Sequence, residues 1–178
     1  MQSEVVHGHG LAVDEPDDPT AQRRVLVIDD DRGVAQVLAI RLRSAGYATT
    51  IAHDGASGLE AAEMELPDAI LLDMRMPGLD GLETNARLKH HERLRDIPVV
   101  FLSANVQDSA RHAAFAAGAA AYLVKPYEPS EVLEAIANAL DARARTPVNH
   151  RSVQRTAEST AESTTARFEA KEVSHESS

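Results

Sequence analysis

The sequence predicts an α/β domain: a five-stranded parallel sheet, doubly wound, with helices on both faces. Short and almost continuously apolar runs alternate with longer stretches of helical periodicity from Arg24 to about Ala144, the pattern of strands buried between crossover helices. Hydrophobic residues make up 43% of the chain and charged residues 26%, a globular composition, but aromatics only 3%. The core must therefore be built from aliphatic side chains and alanine. A length of 178 residues suits one ordinary domain with tails.

The first strand is "VLVI", Val25–Ile28, closed by Asp29, Asp30 and Asp31. A helix follows from about Arg32 to Ala45, where Val34, Val37, Leu38 and Leu42 recur at helical spacing; Asp31 can cap its start and Gly46 supplies a left-handed stop. "YATTIA" alternates as a weaker second strand, and Asp54 can cap a helix that carries Leu59, Ala62 and Met64 and ends before Pro67. "DAILLD" is the third strand. Asp80 and Glu83 have capping-box spacing for a helix through Leu82, Ala86 and Leu88. "IPVVFLSA" is the fourth strand, with Pro98 at its margin where a missing donor is tolerable. Asn105 with Asp108 is expected to cap an alanine-rich helix that stops at Gly118. "AAYLV" is the fifth strand, ending at Lys125 and Pro126, and Pro129 opens a last helix carrying Val132, Leu133, Ile136 and Leu140.

Outside this repeat the chain changes character. Residues 1–22 hold Pro16, Pro19 and an acidic cluster without periodicity, and residues 146–178 are rich in Ser, Thr and Glu, with a short Thr-Ala-Glu-Ser tandem. Neither can bury enough apolar area to offset its ordering entropy, so both are expected to be disordered tails around a domain at 23–145. No output domain is expected in the tail. The formal charge of −10 leaves no broad basic surface for phosphate backbones, so direct nucleic-acid binding is not expected. The absence of cysteine excludes disulfides and thiolate metal sites. The first twenty residues have no basic flank and no long apolar run, so neither a signal peptide nor a membrane anchor is expected, and the protein is expected in the cytoplasm. The paired histidines His7 and His9 lie in the lead-in, and His90 and His91 are adjacent rather than helically spaced, which reads as solvated surface, not a metal site.

In an open parallel sheet, ligands bind beyond the carboxyl ends of the strands. The first strand ends in Asp29 and Asp30, the third in Asp73, the fourth in Ser103 and the fifth in Lys125. Clustered carboxylates repel one another unless a cation neutralises them, and an all-oxygen donor set with room for water suits magnesium. Asp30 and Asp73 are expected as direct ligands, with Asp29 holding a metal-bound water and the Arg75 backbone carbonyl completing the set. One Asp73 oxygen then remains to act as nucleophile and form an acyl phosphate. Lys125 supplies fixed positive charge, the Ser103 hydroxyl can donate to a phosphoryl oxygen, and small Ala104 leaves space for it.

These residues, in "VLVIDDD", "LLDMRMPGLDG", "VVFLSA" and "YLVKPY", resemble the response-regulator receiver domain of two-component signalling, over about Arg24 to Leu140. The resemblance implies a flavodoxin-like (βα)5 fold with strand order 2-1-3-4-5. It implies that Asp73 is the phosphoacceptor, Asp29 and Asp30 the acidic pair, Ser103 the hydroxyl switch, Tyr122 the aromatic switch, and Lys125 the phosphate-sensing lysine, followed by a cis bond to Pro126. It also implies a histidine kinase or histidine phosphotransfer protein as phosphodonor, a changed surface on the fourth helix, fifth strand and fifth helix, and a possible phosphorylation-dependent dimer. The protein is then no enzyme beyond its own phosphorylation and dephosphorylation.

Other functions fit less well. An aspartyl phosphatase of the haloacid-dehalogenase type carries a second acid two residues after its nucleophile, where this chain has Arg75. A nucleotide site needs a glycine-rich loop after the first strand, where "DDDRGV" offers acids. A phosphorylation-independent adaptor, or the receiver portion of a larger regulator, are the alternatives inside the family; the sequence favours a stand-alone regulator.

Overall fold

The computed structural model describes residues 22–145. In chain order the elements are β1 (Arg24–Ile28), α1 (Arg32–Ser44), β2 (Ala48–Ala52), α2 (Gly55–Glu65), β3 (Ala69–Asp73), α3 (Gly81–His90), β4 (Val99–Ser103), α4 (Asp108–Ala116), β5 (Ala121–Val124) and α5 (Pro129–Arg145). All strand pairs are parallel, in the order β2-β1-β3-β4-β5. The register runs Val25 opposite Ala69, Ile70 opposite Val99 and Val100 opposite Ala121.

The alternation of side chains along each strand divides the core in two. Leu26, Ile28, Ile70, Leu72, Val99 and Phe101 pack with Ala62 of α2, Leu88 of α3 and Ala114 of α4. Val25, Val27, Leu71, Val100 and Leu102 pack with Leu38 and Leu42 of α1 and with Val132 and Ile136 of α5. β3 and β4 are buried along their whole length, which is why they read as unbroken apolar runs.

Local chemistry sets the helix ends. Asp31 accepts from the Gly33 and Val34 amides at the start of α1, Asp54 accepts from Ser57 at α2, and Asp80 and Glu83 form the reciprocal capping box of α3. Gly46 takes the left-handed conformation after α1 and Gly118 after α4.

Three expectations are corrected. Val37 and Met64, assigned to apolar helix faces, are solvent-exposed; Ala35 and Ala39 join Leu38 and Leu42 on the inner face of α1, and Gly55 and Gly58 join Ala62 on that of α2. On α3, Ala86 is exposed, while polar Thr84 and Asn85 are fully buried. The cap of α4 is Gln107, which makes no side-chain bond; Asn105 instead accepts from the Gln107 amide. The expected tails, 1–22 and 146–178, lie outside the described residues except for Gln22.

Phe101, in the middle of β4, is among the largest fully buried side chains. Phe101→Ala is expected to lower unfolding free energy by roughly 3–5 kcal/mol in urea titrations, whereas Val37→Ala changes it by less than about 0.5 kcal/mol.

Candidate functional site

The carboxyl ends of β1, β3, β4 and β5 bring the chemistry-bearing residues to one edge. Asp29 is 1% exposed and Asp73 5%, both far below what a lone carboxylate tolerates. Asp29 Oδ1 accepts from the Asp31 amide at 2.9 Å, and Asp73 Oδ2 accepts from the Arg75 amide at 2.9 Å. Lys125 Nζ reaches between them, donating to Asp73 Oδ1 at 2.5 Å and Asp29 Oδ2 at 3.1 Å. Asp30 stays exposed at the rim. One carboxylate oxygen from each of Asp29, Asp30 and Asp73 lies within 4.8 Å of the other two.

Electrostatics follow from this packing. Burial pushes the Asp29 carboxyl above its usual 3.8, reinforced by the Asp73 charge and opposed by the Asp31 amide and Lys125. Burial by itself would lower Lys125, but the hydrogen bonds and charges of Asp73 and Asp29 outweigh it and hold the ammonium above 10.5. An acid cluster that shares one ammonium is under-neutralised, and its three convergent carboxylates form a hard-oxygen donor set. The residues therefore fit magnesium, with Asp29, Asp30, Asp73 and the Arg75 carbonyl as the groups that would hold it. Each Asp73 oxygen accepts one hydrogen bond and keeps acceptor capacity for a further one.

Two local devices fix this edge. Gly81 opens α3 directly behind Asp73, where a Cβ would run into the Asp73 carbonyl oxygen and come within 2.8 Å of Met74 Cα; only glycine allows the loop after β3 to fold back so closely. At β5, the Lys125–Pro126 bond is cis, as expected.

Ser103 is buried at the end of β4, and its hydroxyl accepts from the Asn105 amide at 3.0 Å. Ala104 follows it, exposed. Tyr122 is half-buried, and its hydroxyl donates to the Asn105 carbonyl at 2.8 Å. Asn105 is thus the junction between the Ser103 and Tyr122 positions, a role that its residue type did not signal. A cleft of about 640 Å³ opens beside the acids, lined by Asp30, Met74, Arg75, Asp80, Leu82 and Asn105. Also unforeseen is His53, whose Nδ1 lies 3.3 Å from the Asp29 carbonyl; only the approach of β2 to β1 brings it there.

The comparisons with known proteins agree with this geometry. The model of the response regulator receiver domain matches residues 25–137. The chain belongs to the response-regulator receiver family. It is similar to the DNA-binding dual master transcriptional regulator RpaA of Synechocystis, 38% identical over 70% of this chain and 52% of that protein. It is also similar to the response regulator MprA of Mycobacterium ulcerans, 43% identical over 62% of this chain and 47% of that one. The chain spans about half the length of the curated relatives it matches. Among solved structures, chemotaxis protein CheY4 of Vibrio cholerae aligns with a TM-score of 0.64 at 28% identity, over 67% of this chain and 99% of that one. The receiver domain of the sensor histidine kinase PA1611 from Pseudomonas aeruginosa aligns with a TM-score of 0.63 at 31% identity, over 68% and 99%, and holds a magnesium ion in its active site cleft. No helix among the described residues is long and apolar enough to cross a membrane.

Protons would compete with magnesium at Asp29, where burial holds the carboxyl above its usual 3.8. In thermal unfolding followed by circular dichroism, millimolar magnesium is expected to raise the melting temperature by a few degrees at neutral pH. The increment shrinks as pH falls through the raised Asp29 value, and Asp30→Asn removes most of it. Gly81→Ala is expected to reduce the increment as well, by shifting the Asp73 backbone.

Proposed function

We propose that this receiver accepts a phosphoryl group on Asp73 from a histidine kinase or histidine phosphotransfer protein and signals by docking to a partner through α4, β5 and α5. The observation that carries the reading is Lys125 Nζ held on both Asp73 and Asp29, with Asp30 completing three carboxylates at the same strand ends. An Asp73 oxygen attacks phosphorus in line with the leaving imidazole nitrogen; the P–N bond breaks, an acyl P–O bond forms, and the imidazole keeps the electron pair. Water later cleaves the acyl phosphate to inorganic phosphate and the original carboxylate, so the chain catalyses nothing beyond its own phosphorylation and dephosphorylation. Magnesium would supply charge against the phosphoryl oxygens. Lys125 adds a fixed cation, and the Ser103 hydroxyl donates a hydrogen bond to the new phosphoryl group.

Exposed Phe115 on α4 and Val124 on β5 support a docking role for that face, including as a phosphorylation-dependent dimer. A cytoplasmic site of action is part of this reading. A second reading, the receiver portion of a larger regulator, is favoured by relatives such as RpaA, a DNA-binding regulator, of which the matched region makes up only 52%. On either reading, the receiver itself makes no nucleic-acid contact.

Incubation with acetyl phosphate and magnesium is expected to add one phosphoryl group, seen by intact mass. Asp73→Asn and chelation of magnesium abolish the label, and Lys125→Ala slows its appearance by about tenfold or more. A label that persists in Asp73→Asn overturns the assignment.

A further inference from the structure

We infer that α4 is a lever hinged at its C-terminal end and fastened there by Asn85 of α3, so that its N-terminal end is the part that moves. The inference rests on Asp73 as the phosphoacceptor for the cause of the motion, but not for the hinge itself.

The two ends of α4 are held very differently. At the C-terminal end the Gly118 amide donates to Phe115 at 3.0 Å and the Ala119 amide to Ala114 at 3.1 Å, with Gly118 at φ +84°, a closed helix stop. Asn85 lies fully buried on the facing helix, and its Nδ2 donates to the Ala117 carbonyl at 2.7 Å. One turn along α3, Lys89 Nζ donates to the Arg95 and Ile97 carbonyls, each at 2.9 Å, and its Cε would sit 3.7 Å from a Cβ on Gly118. One face of α3 thus grips both the end of α4 and the turn that leads into β4.

The N-terminal end is held through the loop before it, where the Gln107 amide donates to Asn105 Oδ1. Gln107 provides no side-chain cap, and Ala114, near the other end, is the buried residue of the helix. The loop that leads into α4 is tied through Asn105, whose amide donates to Ser103 Oγ and whose carbonyl accepts from Tyr122. Ser103 is also the hydroxyl placed to meet a phosphoryl group on Asp73. Any shift of Ser103 is therefore applied at the free end, and a nine-residue helix is about 14 Å long. Displacement must fall along the helix from Asp108 and Arg111 toward Phe115, so a partner that distinguishes the two states reads the N-terminal half of α4.

Amide exchange by nuclear magnetic resonance on the full chain tests the hinge before any phosphodonor is added. The Ala110 and Arg111 amides, which donate to Gln107, are expected to exchange about tenfold or more faster than those of Gly118 and Ala119. Asn85→Leu is expected to speed exchange at Gly118 and Ala119 about tenfold while magnesium-dependent labelling of Asp73 persists. Should that variant not fold, Gly118→Ala loosens the same stop, because its φ disfavours a Cβ. With acetyl phosphate, chemical-shift changes should decline from Asn105 to Ala117. Equal exchange at both ends in the unaltered protein, or no change at Gly118 and Ala119 in whichever variant folds, overturns the hinge. Failure to label Asp73 with the exchange gradient intact overturns only the phosphoacceptor reading.

Discussion

The ammonium of Lys125 between two buried carboxylates is the interaction on which the carboxyl edge of the sheet depends. Asp29 and Asp73 sit on neighbouring strands, β1 and β3, so pairing alone forces their charges together. Without a cation the pair would face each other in a medium where repulsion is poorly screened, and removing one partner from such a buried set typically costs about 3–5 kcal/mol. β5 is the strand that brings the cation, hydrogen-bonded on the far side of β4. The strand order is thus also an electrostatic arrangement: two acid-bearing strands in the centre, the cation from an edge, and a hydroxyl on the strand between.

The same edge is partly satisfied by backbone. Amides of Asp31 and Arg75 each donate to the carboxylate two residues earlier, in matching turns after β1 and β3. Those two bonds orient the acids without adding charge, so the cluster still lacks positive charge that an ion could supply. Beneath it, the alanine-rich core allows close helix approach. Gly58 of α2 shows how close: a Cβ there would press within 3.0 Å of Ile28, the residue before the acids. Rigid packing under the site holds the oxygens in place, since interiors at crystal-like density yield little.

Much of this was legible in the sequence because it rests on short-range rules. Capping residues, the stop glycines, apolar runs of strand length and acids at strand ends are all local signals, and each marked its element within a residue or two. What escaped was what depends on rotation and approach. Val37 fits helical periodicity, yet α1 turns it outward. Thr84 and Asn85 look like surface residues on α3, but the helix is set by Gly81 and Leu88, and the i, i+3, i+4, i+7 row of 81, 84, 85 and 88 must face inward. Thr84 satisfies itself on the Asp80 carbonyl. Asn85 needs a partner thirty-two residues away, which no local pattern reports.

That buried amide has a cost that shapes the proposed switch. Asn85 Oδ1 is buried with no partner, a penalty of about 1–3 kcal/mol that a leucine of similar size would avoid. Its single bond is placed at the end of α4, whose buried residue is Ala114. The free end of α4 is held by bonds of about 1 kcal/mol each, such as Tyr122 to Asn105. A phosphoryl group on Asp73 would make charge-assisted bonds to Ser103 and Lys125 of about 1.5–3 kcal/mol each. Bonds of similar size hold the other end, where the Gly118 and Ala119 amides and Asn85 close the helix, so what sets the two ends apart is that Ser103, on which the phosphoryl group would pull, is bonded to the loop before α4. An interaction shifts an equilibrium only by its difference between two states. The interactions of a phosphoryl group on Asp73 would therefore differ between the two states at the end tied to Ser103 and not at the end that Asn85 holds.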